Sequence, residues 1–154
     1  MKAFNFPLES LRTLRKQREQ AAQQRYARAL VLCDGAARVL QLAEEELSAG
    51  QAILTGELQC GATASRIVHL QLWCKVLEIR RNECEAAAAE AKRDANDAFQ
   101  LLTAAARERE AMDRFHDKSQ AVWQRAFQTE EQKMFDELAV QRQSAPGLEK
   151  TRLN

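Results

Sequence analysis

No proline occurs between Pro7 and Pro146, and most of the chain between them repeats an apolar residue in a 3-then-4 rhythm. Proline removes a backbone donor and clashes with the preceding turn, so a long span without it permits very long helices. The rhythm adds what those helices do. Tyr26, Cys33, Leu40, Leu47 and Leu54 fall seven apart, and Ala22, Ala29, Ala36 and Ala43 fall seven apart between them. Two interleaved series of this kind define a two-position seam, the patterning of a coiled coil rather than the wider stripe of a globular core helix. The span therefore predicts a helical rod, and it points function towards binding and away from catalysis.

Composition agrees with a rod. Alanine, glutamate, lysine, leucine and arginine supply about half of the chain, the share expected of coiled coils and long helices. Large aliphatic residues are sparse, which suffices when each helix buries one stripe. The 23 basic and 22 acidic side chains leave a net charge of +1, so there is no overall attraction to nucleic acid or to an anionic membrane. A local excess remains where Arg12, Arg15, Lys16, Arg18, Arg25 and Arg28 make the first helix basic near its start. No apolar run approaches the ~18 to 20 residues needed to span a bilayer. The N-terminus lacks the apolar segment and cleavage site of a secretory signal. The expected location is cytoplasmic. Cys33, Cys60, Cys74 and Cys84 show no CxxC spacing and no histidine grouping, so they read as small apolar fillers in a reducing cytosol.

The pattern sets the expected organisation: one all-α coiled-coil rod over residues 1–145 and a polar tail over 146–154. Phe4, Phe6 and Pro7 form an extended lead-in, because a residue before proline avoids the helical region. Pro7 suits a helix's first turn, where its missing N–H is no loss. Helix one is expected over about 8–49, roughly 60 Å at 1.5 Å per residue. Glycines at 50, 56 and 61 each cost about 1 kcal/mol in a helix relative to alanine, so a flexible link is expected over about 50–64. Thr63 or Ser65 can cap the next helix. The second helical region, about 65–143, keeps the alternation through Ile67, Leu70, Cys74, Leu77, Cys84, Ala88, Ala91, Ala95, Ala98, Leu102, Ala105 and Met112. Arg81 and Arg109 interrupt it. Beyond Met112 the spacing of Trp123, Phe127, Met134 and Leu138 reads as a phase shift, which alters supercoiling or bends a helix. A short link between two seams implies an antiparallel two-helix hairpin, with a parallel homodimer as the competing architecture.

Catalytic signals are lacking. His69 and His116 have no ligand at metal spacing, and no phosphate loop, nucleophile elbow or zinc signature is present. His116 reads as a partly exposed helix residue. The runs Glu44-Glu45-Glu46 and Glu130-Glu131 read as solvated faces, because helical neighbours point in different directions. No catalytic, metal or cofactor-binding residue is assigned. Leu72, Trp73 and Val76 lie off the seam, where a two-helix rod has nothing to cover them, and exposed aromatic and aliphatic surface favours a partner; the alternative is that the chain near the tip folds back and covers Trp73.

The two ends are denser in signals. The beginning reads Phe4-x-Phe6-Pro7-Leu8-Glu9-x-Leu11-x-x-Leu14-Arg15. The end reads Glu130-Glu131-Gln132-Lys133-Met134-x-Asp136-Glu137, with Arg142 following. In a hairpin both ends meet at one pole, and their mixed apolar and charged groups suggest a docking tip. The bland alternative is ordinary helix ends with weak pairs such as Lys133 with Glu137.

With this opening, a long helical hairpin and a closing E-x-K-x-x-D-E, the chain resembles the flagellar export protein FliJ family from Phe4 to about Arg142. The segment from Gly61 to Leu77, with Ser65-Arg66 ahead of Trp73, is similar to the link and second-helix start of that family. The alanine-rich middle departs from it. The resemblance implies a role in flagellar type III protein export, and so in motility and chemotaxis. It implies a shape similar to the stalk subunit of rotary ATPases. The implied partners are the hexameric export ATPase, the cytoplasmic domain of the export gate protein, and export chaperones that the protein escorts. By likeness, Phe4, Phe6, Leu8, Leu11, Arg15, Lys133, Asp136 and Glu137 would face the ATPase ring, and Trp73 and Leu77 the gate. The alternatives are the equivalent stalk protein of a virulence type III secretion system and a structural coiled-coil scaffold. None of these roles requires chemistry on the chain.

Overall fold

The computed structural model describes residues 3–144, which form two helices, α1 (Glu9–Gln59) and α2 (Ala64–Ser144). Pro146 and the polar tail expected at 146–154 lie outside the described residues. The chain divides into two compact units. One is Arg15–Glu108; the other joins residues up to Leu14 with residues from Arg109 onward.

In the unit Arg15–Glu108 the helices run antiparallel. Tyr26 meets Phe99 with ring centroids 5.4 Å apart, Glu46 receives Arg80 at 3.1 Å, and Arg15 pairs with Glu108. Along α1, Ala22, Tyr26, Ala29, Cys33, Ala36, Leu40, Ala43, Leu47, Gly50 and Leu54 are all buried or half-buried. These are the seam positions. Opposite them, Leu70, Cys74, Leu77, Ala95 and Ala98 form the best-buried part of α2. Alanine on both surfaces lets the backbones approach closely, so this core is thin and depends on shape more than on bulk.

The link is shorter than the glycines suggest. α1 continues past Ala49 to Gln59, and only residues 60–63 join the helices. The expected end at 49 and link over 50–64 are corrected by what Gly50 does. It is buried on the seam, where an added Cβ would stand 3.0 Å from Leu77 Cδ1 and 3.3 Å from the Trp73 ring. Gly50 is there for close approach, not to break the helix. The stop comes at Gly61, whose φ of 76° is the left-handed conformation that glycine adopts without strain. The Ala62 N–H then reaches back to the Glu57 carbonyl at 3.0 Å, closing a Schellman motif. Thr63 caps α2: its Oγ1 accepts from the Arg66 N–H at 3.4 Å, and its carbonyl takes the first helical bond from Ile67.

In the other unit, α1 starts one turn after the lead-in. The Phe6 carbonyl accepts from the Glu9 N–H at 3.2 Å and the Leu8 carbonyl from the Arg12 N–H at 2.9 Å. In α2, Arg109, Met112, His116, Ser119 and Trp123 are half-buried in unbroken 3-4 spacing. The phase shift expected beyond Met112 is therefore absent up to Trp123. Polar His116 and Ser119 occupy seam positions and hide the period from a search for apolar residues. Past Phe127 the seam ends, and residues 128–142 are all exposed.

Candidate partner-binding surfaces

The lead-in is positioned by aromatic rings. Phe6 is 5% exposed, 5.0 Å edge-on to His116 and 5.7 Å from Phe115. Phe4 lies 5.7 Å edge-on to His116 and 5.8 Å from Trp123. Edge-to-face and tilted pairs of this kind add about 0.5–1.5 kcal/mol each beyond the area they bury. The His116 Nδ1 lies 3.1 Å from Asp117 Oδ1. The two phenylalanines of the opening motif thus spend their rings on α2. Leu8 and Leu11, by contrast, are 38% and 36% exposed.

One turn along, a charged layer replaces the apolar seam. Asp113 receives Arg12 Nε on one oxygen and Arg109 on the other, both at 2.7 Å, while Glu9 stands 3.6 Å from Arg12. The hydrogen bond to Asp113 raises the Arg12 pKa; the charges of Asp113 and Glu9 add to it, and burial opposes it. Arg12 therefore stays charged at any working pH. A polar layer in a seam fixes register, because sliding the helices would strand its charges.

Lys133, Asp136 and Glu137 are exposed, and among the described residues none of them makes an ion pair within 4 Å. The Lys133–Glu137 pair suggested by their spacing does not form. Their neighbours Met134, Phe135 and Leu138 are 61%, 67% and 52% exposed. Lys133 lies ten residues beyond Trp123 on the same helix, about 15 Å further along, so Phe4 and Phe6 do not share a compact patch with it. Arg15, in the other unit, is paired with Glu108.

Trp73 and Leu77 part company. Leu77 is 8% exposed and packs at Gly50, whereas Trp73 touches Gly50 with its ring edge and remains 41% exposed. Around Trp73, Val68, Leu72, Val76 and Ile79 are all more than half exposed. The segment is apolar on two sides, and only one is covered. His116 and Asp113 are the positions that a motif search misses; the seam period carried past Met112 would have found His116. Among the described residues no group of three or more His, Cys, Asp or Glu side chains could hold a metal ion. Among the described residues no helix is long and apolar enough to cross a membrane.

A family model described as Flagellar FliJ protein matches residues 4–147. Set against curated proteins and solved structures, the chain matches none.

Proposed function

Because the chain belongs to the flagellar FliJ family, a component of the flagellar type III export apparatus, we propose that it binds the export ATPase ring and the export gate and escorts export chaperones. The observation that carries this reading is the family match over residues 4–147, nearly the whole length. Exposed apolar and charged surface in both units supports it. Lys133, Asp136 and Glu137, with Leu8, Leu11 and Arg15, are the proposed ATPase contacts. Phe4 and Phe6 act there through α2, by holding the lead-in against His116 and Trp123. Trp73 is the proposed gate contact, backed by Leu77 from inside. No bond is made or broken on the chain. A helical partner biases an ATPase ring by binding one of its states more tightly than another.

The test is a pull-down with purified export ATPase and, separately, with the cytoplasmic domain of the gate. Lys133→Ala with Asp136→Ala and Glu137→Ala is expected to lower ATPase capture and leave gate capture unchanged. Trp73→Ala is expected to do the reverse. Unchanged capture of both partners by both variants would refute the assignment. Lys133, Asp136 and Glu137 are exposed, so that variant should melt close to the parent chain; Trp73 packs in part at Gly50, so gate capture by Trp73→Ala is measured well below its lowered melting temperature.

A further inference from the structure

α2 outruns its cover. Phe4, near the start of the lead-in, reaches Trp123, and burial stops at Phe127. The spacing does not stop there. Phe127, Glu131, Met134, Leu138 and Gln141 follow in steps of four, three, four and three, so they share one stripe of the helix. Met134 and Leu138 on this stripe are 61% and 52% exposed, and Phe135 beside it is 67% exposed. A stripe with this rhythm buries itself against a second helix, and none of the described residues covers it.

The covered part of the same seam shows what fits. There the α2 carboxylate of Asp113 takes Arg12 from the helix packed against it, at 2.7 Å. Glu131 follows Asp113 by eighteen residues, about five whole turns, so the two carboxylates stand at the same angle around α2. Among the described residues, however, Glu131 has no cation within 4 Å, and neither has Glu130 or Glu137 on the flank of the stripe. From Phe127 to Gln141 the stripe and its flanks thus carry carboxylates and no cation. Lys133 and Asp136 project from the other side of the helix, and Arg142 follows at the stripe's end.

We infer that this stripe docks a basic amphipathic helix of a partner protein, with arginine or lysine set against Glu131 and apolar side chains against Met134, Leu138 and Phe135. The occupant is a helix because the spacing continues a seam that already takes one. It is basic because a carboxylate buried in a seam without a cation is costly. A single charged position in an apolar stripe also fixes register and rejects helices that lack the matching charge. Two copies of the stripe would bring carboxylate against carboxylate, which disfavours self-pairing. Lys133 and Asp136 lie off the stripe and only Glu137 borders it, so this surface does not rest on the ATPase contacts proposed above.

The test is fluorescence anisotropy of a labelled helical peptide of about three heptads, titrated with the full chain. The peptide carries leucine at its seam positions, lysine on its flanks and one arginine placed to meet Glu131. The expected result is saturable binding that Glu131→Arg weakens about tenfold or more. A companion peptide with glutamate in place of that arginine should prefer the Glu131→Arg chain to the parent. Met134→Ala with Leu138→Ala should weaken binding to a similar degree, whereas Val31→Ser, on exposed surface of α1, should leave it unchanged. All of these side chains are exposed, so the fold is kept in each variant. Absence of binding to the full chain, whether the stripe is idle or residues 145–154 cover it, overturns the proposal. Binding indifferent to the charge at position 131 overturns it too. Sedimentation of the chain alone tests the other occupant: a dimer that Glu131→Arg dissolves would assign the stripe to a second copy and overturn the proposal.

Discussion

Gly50 and Gly56 of α1 differ in what surrounds them, and substitution separates them. At Gly50 a new Cβ would press on Leu77 and Trp73. Overpacking of that kind costs about 1–3 kcal/mol, which outweighs the roughly 1 kcal/mol gained in helix propensity. Gly50→Ala is expected to lower the midpoint of urea unfolding. Gly56 has open space around its Cβ position, so Gly56→Ala should raise the midpoint, by about 0.5–1 kcal/mol in stability. Equal shifts of the same sign would show that the close approach at Gly50 is not what sets its identity. Asp113 offers a second contrast. Replacing it with alanine leaves Arg12 and Arg109 facing each other without the shared carboxylate, a loss of about 1 kcal/mol for partly exposed groups. The raised Arg12 pKa fixes the pH dependence of its share. A raised pKa stabilises the fold below the unfolded value and fades only as pH rises through the folded one. For an arginine that window lies in strong alkali. The Arg12 contribution should therefore be flat between mildly acidic and mildly alkaline pH in denaturant titrations.

At the scale of elements, the seams were legible because burial on one stripe is all that the heptad rhythm encodes. Ala22 to Leu54 and Ile67 to Met112 occupy the seam that their spacing predicts. The boundary near Gly50 was not legible. Glycine's low helix propensity and its value at a tight helix crossing look the same in a sequence, and only the position of Leu77 separates them. His116 was missed for a related reason: the seam needs a side chain that packs, not one that is apolar, and imidazole packs against Phe4 and Phe6. The mixed apolar and charged groups of the ends suggest a docking tip, but half of the opening motif is engaged internally. The exposed surface of the opening is therefore smaller than the motif. The lead-in gives a direct check. With Trp73 replaced by phenylalanine, Trp123 reports the clamp alone, and Phe4→Ala should shift its fluorescence towards that of a solvated indole. The turn gives another. Gly61→Ala forces a Cβ into the left-handed region, at about 1–2 kcal/mol, and should lower the melting temperature.

For the whole molecule, near-neutral charge means that partner choice rests on local surface rather than on long-range attraction.

The alanine seam of α1 has a consequence for synthesis. Synthesis runs from the N-terminus, so α1 emerges from the ribosome before α2 does, and the inner face of the first helix waits uncovered until the second follows. A seam lined alternately by leucines would be adhesive during that wait. Alternating it with alanine halves the exposed apolar bulk and leaves a helix former that holds its shape alone. When residues 60–63 emerge, the first contacts close over a few residues beside the Gly61 turn, and later ones span progressively longer loops. Folding then proceeds as a zipper from the turn outward, and the Arg12–Asp113 layer, with its long sequence separation, is among the last contacts to close.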